Sequence, residues 1–184
     1  MNASSGWGIE EYKDVESQKY WKEAVRLSSD GTDATRKERI MHGLQLMARD
    51  HARLPLQWDS SFNGGFSQGQ PWMRVHGLYK TINVERQERE ANSVLSFWKQ
   101  LLRLRKEHKD VFVYGSFELL DAENVSTFAY RKRFREQTAL VVLNFTAERQ
   151  ALPEVGDMKL LLSSYSEAVQ ETLQSYEGRI YMNY

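Results

Sequence analysis

The amino-acid sequence predicts an α+β protein, with helices in its first 110 residues and an antiparallel β-sandwich after them. Apolar residues recur at the spacing of a helix up to about residue 108, and at the spacing of a strand after residue 110. The strand-like segments are short, evenly spaced and separated by polar turns, a pattern typical of antiparallel sandwiches. We therefore place a boundary near Asp110 and predict two domains, residues 1–110 and 111–184.

Three long helices are predicted before this boundary. The first covers about residues 14–27, and either Asp14 or Ser17 can cap it, because a side-chain oxygen there accepts a hydrogen bond from a free N–H group of the first turn. The second is predicted over residues 35–47. The third, over residues 93–108, has the broadest apolar face, which is typical of a helix that packs on a sheet or a barrel.

Five strands are predicted after the boundary. Residues 127–130 alternate between polar and apolar, as in a strand with one buried face. The run from Ala139 to Leu143 is continuously apolar, which is typical of a fully buried strand. The predicted strands cover residues 117–120, 127–134, 138–145, 159–162 and 179–182.

The composition argues against several functional classes. Lys plus Arg and Asp plus Glu number 25 each, whereas a protein that neutralises nucleic-acid phosphates carries a basic excess. Residues 103–109 are basic, but a helix end that faces solvent explains them better than nucleic-acid binding does. The chain has no cysteine, no apolar run long enough to span a membrane, and no secretory signal in its first residues. We therefore expect a cytoplasmic protein without a metal or cofactor.

One segment combines charged, aromatic and turn-forming residues more densely than the rest of the chain. Two arginines in it flank a carboxylate and an imidazole, and a proline then stops any helix. The irregular region that follows, residues 63–90, is longer than most loops of compact domains, and such loops are usually functional. The segment reads Arg49-Asp50-His51-Ala52-Arg53-Leu54-Pro55-Leu56-Gln57-Trp58, with Asn63-Gly64-Gly65-Phe66-Ser67 and Pro71-Trp72 after it.

These residues resemble the loop after the eighth barrel strand in α-glucosidases of the α-amylase superfamily, glycoside hydrolase family 13. The most similar pattern is that of the fungal maltase and oligo-1,6-glucosidase group. It reads Arg-Asp-His-Ala-Arg-Thr-Pro-Met-Gln-Trp, then Asn-Ala-Gly-Phe-Ser, then Pro-Trp. The chain departs from it at Leu54, Leu56 and Gly64, which replace Thr, Met and Ala. Only the change from Thr to Leu alters chemical character, because it removes a hydroxyl.

The resemblance extends to most of the sequence and implies an architecture. Residues 1–110 would form the end of a (β/α)₈ barrel, with its last loop and eighth helix, and residues 111–184 the β-sandwich domain behind it. The chain would thus be a C-terminal fragment of an enzyme that hydrolyses terminal α-linked glucose from maltose- or isomaltose-type oligosaccharides. Further segments that resemble the family are Tyr12–Glu16, Ile82–Glu85, Asn92–Leu95, Phe97–Lys99, Arg105–Lys109, Val113–Gly115 and Glu177–Tyr181.

The resemblance also implies which part of the catalytic site the chain supplies. Retaining glycosidases use two carboxylates about 5–5.5 Å apart, and the family motifs that carry them are absent from this sequence. A whole barrel takes about 250 residues, so we expect the chain alone to be inactive and to need an N-terminal barrel portion. In the family, the first arginine of the motif bonds hydroxyls of the terminal glucose. That residue is Arg49 here, and Arg53 is the second candidate for substrate binding.

Other interpretations of the same residues remain open. Without the resemblance, Arg49, Asp50 and Arg53 would be a surface cluster of ion pairs of about 0–1 kcal/mol, in which Asp50 pairs with either arginine. Trp58 and Trp72 can stack on sugars, although packed tryptophans are the more common case. A different function is that of a non-catalytic module derived from the same superfamily, which binds a glucan or a protein partner. The preference among maltose, isomaltose and sucrose is decided by barrel loops that the sequence does not contain.

Overall fold

A computed structural model describes residues 7–27, 34–169 and 171–183. The chain divides into two compact units, Met1–Ala91 and Asn92–Tyr184. This division separates two groups of residues that pack mainly among themselves. The predicted boundary near Asp110 separates a barrel portion from a sandwich domain, which is a different distinction, and it stays a prediction.

The first unit is largely helical in its described part. The first predicted helix is confirmed, and Asp14 rather than Ser17 caps it, since its carboxylate accepts a hydrogen bond from the backbone N–H of Ser17 at 3.2 Å. The second helix begins one residue earlier than predicted, at Ala34. The helices are α1 (Val15–Arg26), α2 (Ala34–Met47) and α3 (Val84–Arg89), with 3-10 turns at Ile9–Glu11, Arg49–Arg53, Phe62–Gly65 and Gly77–Lys80.

Helix α3 lies in a region that was predicted to be irregular. Asn83 caps it by accepting a hydrogen bond from the N–H of Arg86 at 2.9 Å. Arg86 also pairs with Glu90 across one turn, with 2.7 Å between Nε and Oε1. Capping and such pairs stabilise a short helix even without a long apolar face, which explains why the apolar pattern did not reveal it.

A small apolar core organises the first unit around the arginine-rich segment. Trp7 and Tyr12 pack edge to face with ring centres 5.6 Å apart. Leu44 and Ala48, from α2 and the residue after it, join them together with Met73. The core therefore holds the segment before α1 against the end of α2, immediately before Arg49.

The second unit begins with one helix and continues as antiparallel sheet, which confirms the predicted fold class. The ends of the five predicted strands are correct to within one residue, and two short strands were not predicted. The order in the larger sheet is β1-β2-β3-β7-β5, and β4 pairs with β6 in a second sheet. The elements are α4 (Val94–Glu107), a π-helical turn (Asp110–Tyr114), β1 (Ser116–Leu120), β2 (Thr127–Phe134), β3 (Gln137–Asn144), β4 (Gln150–Ala151), β5 (Lys159–Ser163), β6 (Thr172–Leu173) and β7 (Gly178–Met182).

Strand β3 is buried on both faces, as its continuous apolar run predicts. Leu140 and Val142 point to one side, where they pack with Leu173 of β6. Ala139 points to the other side and packs with Val111 of the π-helical turn. Because successive side chains of a strand alternate between faces, β4 and β6 form the second layer of the sandwich on one face only.

The apolar face of α4 is only partly covered. Ser93 caps the helix by accepting the N–H of Ser96 at 3.1 Å, but no residue of α4 is buried. Val94 is 68% exposed and Trp98 is 53% exposed.

None of the helices in the described residues is long and apolar enough to cross a membrane.

Candidate functional site

Both arginines of the motif meet the same carboxylate, which belongs to Asp14. Arg53 Nη1 donates a hydrogen bond to Asp14 Oδ1 at 2.9 Å. Arg49 Nε lies 3.7 Å from the same oxygen. Asp14 was predicted as a helix cap but not as the partner of the arginines. The prediction that Asp50 pairs with an arginine is wrong, because both arginines pair with Asp14.

Asp50 is fully buried and binds backbone instead. Its carboxylate accepts the N–H of Lys13 at 2.9 Å and the N–H of Asp14 at 3.1 Å. The 3-10 turn over Arg49–Arg53 directs Asp50 inward, whereas both arginine side chains remain partly exposed. Asp50 thus fixes the position of Asp14, and Asp14 fixes the arginines.

The two arginines differ in how much of the guanidinium is available. Arg53 is 38% exposed and hydrogen-bonded, while Arg49 is 65% exposed. The Arg49 guanidinium makes no hydrogen bond to the described part of the chain, so its five fixed donors are available to a ligand. Asp14, at 6% exposure, supplies a buried negative charge beside it.

The environment of Asp14 favours its ionised form. The hydrogen bond from Arg53 lowers the pKa of its carboxyl, and burial, which acts in the opposite direction, does not cancel that effect. The Ser17 N–H and the charge of Arg49 lower the pKa further. The carboxylate therefore stays charged and holds both arginines throughout the neutral range.

The lowered pKa of Asp14 predicts a loss of stability in acid. Because the folded pKa lies below the unfolded value of about 3.9, the contribution is present above that value and disappears as the pH falls through the folded pKa. We expect Asp14→Asn to flatten the decline of the melting temperature below about pH 4. Asp59 and Glu177, whose pKa values are also lowered, should preserve the remaining decline. An unchanged profile in thermal melts from about pH 6 to pH 2 would exclude this role.

Asp50 gives a prediction of its own. Asp50→Ala leaves the N–H groups of Lys13 and Asp14 without their acceptor, and each buried unsatisfied group costs about 1–3 kcal/mol. We expect the free energy of unfolding to fall by about 2–4 kcal/mol in urea titrations. Asp50→Asn retains one acceptor oxygen and should lose less. Equal losses for both variants would show that the acceptor oxygens are unimportant.

Two of the histidines make local hydrogen-bond contacts. His51 Nε2 lies 3.0 Å from the carbonyl oxygen of Leu44, and His76 Nδ1 accepts the N–H of Leu78 at 3.2 Å. Among the described residues, no group of three His, Asp or Glu side chains could hold a metal ion. Asn144, in an Asn-Phe-Thr sequence of the kind that can accept an N-linked glycan, is buried, and its amide nitrogen donates to two backbone carbonyls.

The turn after the arginine motif depends on backbone contacts. Trp58 N–H donates to the carbonyl of Gly64 at 2.7 Å, and Gly64 has a φ of 63°. A Cβ atom on Gly64 would lie 3.3 Å from the Cβ of Tyr79, so both the conformation and the space favour glycine there.

Trp58 and Trp72 are 49% and 59% exposed, so the expectation that they are packed is wrong.

Known proteins are similar to the chain over almost its whole length. Residues 10–115 match the family model described as alpha amylase, catalytic domain. An α-glucosidase from Candida albicans is 36% identical over 185 residues, which cover 98% of this chain and 32% of the relative. An oligo-1,6-glucosidase from Saccharomyces cerevisiae is 35% identical over 189 residues, or 96% of this chain and 32% of the relative.

The similarity includes the three-dimensional structure. The crystal structure of the trehalose-6-phosphate hydrolase from Bacillus licheniformis, an R201Q mutant, matches with a TM-score of 0.85 and 26% identity. The match covers 99% of this chain and 34% of that protein. The chain spans about a third of the length of the curated relatives named above. The family model covers more than half of the 184 residues, and the chain therefore belongs to the α-amylase family.

Proposed function

We propose that the chain is the C-terminal part of an α-glucosidase, to which it contributes a sugar-binding arginine. The enzyme would hydrolyse terminal α-linked glucose from maltose- or isomaltose-type oligosaccharides. The observation that carries this proposal is the exposed guanidinium of Arg49, positioned 3.7 Å from the buried carboxylate of Asp14. The α-glucosidase and the oligo-1,6-glucosidase to which the chain is similar support the substrate class.

Each residue of the site has a distinct task in this proposal. Arg49 binds a hydroxyl of the terminal glucose, because its free N–H groups offer directed donors and keep their charge. Arg53 orients the loop through its hydrogen bond to Asp14 and is the second candidate for sugar contact. Asp50 keeps Asp14 in place through the two backbone N–H groups.

The bond-breaking carboxylates would come from elsewhere in the enzyme. The carboxylates of Asp14 and Asp50 already accept hydrogen bonds from Arg53 and from backbone N–H groups. Both side chains are also buried, at 6% and 0% exposure, so neither carboxylate is accessible to a substrate as a nucleophile or a proton donor. Residues 1–110 would complete the (β/α)₈ barrel and residues 111–184 would form the sandwich behind it. A cytoplasmic location is part of the proposal, and cell fractionation tests it.

Hydrolysis of a chromogenic α-glucoside tests the proposal. We expect the purified 184-residue chain to show no turnover, whereas the longer protein that contains it should hydrolyse p-nitrophenyl α-glucoside, maltose or isomaltose. A β-glucoside serves as the control substrate, because a retaining α-glucosidase should leave it intact. Turnover by the chain alone, or a longer protein without α-glucosidase activity, would contradict the proposal.

A further inference from the structure

A cleft of about 550 Å³ lies in the first unit, apart from the two arginines, neither of which lines it. This volume is within the range of about 300–1,000 Å³ that small-molecule sites occupy. Its wall includes Phe62, Trp72 and Tyr79 together with charged and amide side chains. The cleft therefore combines apolar faces with hydrogen-bonding groups in one concavity.

Two of the aromatic rings are largely uncovered. Phe62 is 67% exposed and Trp72 is 59% exposed. Large aromatic side chains gain from losing contact with water, and their flat faces complement the C–H face of a pyranose ring. Exposed rings at the rim of a cleft are thus suited to a ring-shaped ligand that has one apolar face.

The charges of the cleft cancel within it. Arg74 Nη1 lies 2.6 Å from Glu11 Oε1, and Lys13 Nζ donates to the carbonyl of Glu10 at 3.1 Å. Two acidic and two basic side chains thus line the cleft, and both basic groups already have partners. An uncharged ligand is favoured over an anion or a cation, because neither sign of charge is left in excess.

Polar groups that can bond hydroxyls also line the cleft. The amide of Gln70 and the hydroxyl of Tyr79 have no side-chain hydrogen-bond partner in the part of the chain that the structure describes. Asn63 supports the wall, since its Nδ2 donates to the carbonyls of Ser67 and Gly69 at 3.1 and 2.8 Å. The cleft thus has a fixed wall and unused donors and acceptors.

We propose that this cleft binds a neutral pyranose ring. Trp72 and Phe62 cover its apolar face, and Gln70 and Tyr79 bond its hydroxyls. That the ring belongs to an α-glucoside rests on the proposed function, whereas its neutral and cyclic character follows from the cleft. Lys13 lines the cleft and precedes Asp14, so one backbone segment supports both the cleft and the arginine site.

Titration of the 184-residue chain with maltose and with methyl α-D-glucopyranoside, followed by protein NMR, tests this inference. We expect saturable binding that Trp72→Ala weakens about tenfold or more, and that Trp72→Phe largely retains. Trp98→Ala is the matched control, because Trp98 is 53% exposed and does not line the cleft. It should bind like the unaltered chain. Glucose 6-phosphate should bind no more tightly than glucose.

Several results would overturn the inference. They are the absence of saturable binding, equal weakening by Trp72→Ala and Trp98→Ala, or a marked preference for the phosphorylated sugar. Circular dichroism of each variant shows whether it folds, and Phe62→Ala provides a second test if Trp72→Ala does not. If the longer protein hydrolyses α-glucosides but the cleft binds no sugar, this inference fails and the proposed function stands.

Discussion

Replacement of Arg179 by alanine is expected to lower the free energy of unfolding by about 3–5 kcal/mol. Arg179 and Glu177 are each 1% exposed and form a bidentate pair, at 2.6 Å from Nε to Oε1 and 2.8 Å from Nη2 to Oε2. Without the guanidinium, Glu177 would be a buried charge without its partner. The expected loss is larger than the net contribution of the ion pair to stability, because the cost of burying the Glu177 charge remains while the attraction that offset it is gone.

Two further hydrogen bonds of Arg179 connect separate parts of the sandwich. Nη1 donates to the carbonyl of Val169 at 2.7 Å, and Nη2 donates to the carbonyl of Thr172 at 2.8 Å. These hydrogen bonds connect β7 to β6 and to the segment before β6. Burial opposes ionisation of Glu177, but hydrogen bonds from Arg179, the Gln174 N–H and Ser163 outweigh it and lower the pKa of the carboxyl.

Urea unfolding followed by far-UV circular dichroism measures the effect. Arg89→Ala is the matched control, because Arg89 pairs with Glu85 at the surface, with side-chain exposures of 75% and 47%. Such pairs contribute about 0–1 kcal/mol. The double variant Arg179→Met, Glu177→Leu removes both charges and should be more stable than Arg179→Ala. Similar losses for Arg179→Ala and Arg89→Ala would show that the buried pair does not stabilise the sandwich.

Local patterns predicted most of the regular structure. The start of helix α1 was predicted correctly because its cap is local: the Asp14 side chain accepts the N–H of Ser17, three residues later. Strand β3 was predicted correctly because burial on both faces makes its sequence continuously apolar. The strands β4 and β6, at two residues each, are too short to show a period. The apolar pattern of α4 predicted the helix, but no pattern within the helix shows whether another element covers it.

The candidate site was less predictable because its contacts join distant positions. Asp14 and Arg53 are 39 residues apart, and Asp14 and Asp50 are 36 apart. The 3-10 turn over Arg49–Arg53 directs Asp50 inward, where its carboxylate accepts the backbone N–H groups of Lys13 and Asp14. A carboxylate between two arginines in sequence suggested local pairing, but the 3-10 turn separates it from them. Asp14 could have been suspected only through the family resemblance of residues 12–16.

Arg49→Ala in the longer protein is expected to lower kcat/KM for maltose or isomaltose by about 10- to 100-fold, since a hydrogen bond from a charged group contributes about 1.5–3 kcal/mol. The reason is that the only interaction of Arg49 within the described residues is its ion pair with Asp14, so the side chain is available to the substrate. Stability should change little, because the side chain is 65% exposed. A loss of activity without a loss of stability separates substrate binding from a structural role.

Two further variants sharpen the assignment. Arg49→Lys keeps the charge but loses the planar fork of donors, so it should recover only part of the activity. Arg53→Ala removes the 2.9 Å hydrogen bond to Asp14 and should affect stability as well as activity. If Arg49→Ala has full activity while Arg53→Ala loses it, the sugar contact belongs to Arg53. If both retain full activity in steady-state assays, neither arginine binds the substrate, because an exposed guanidinium that touched the glucose would not be dispensable.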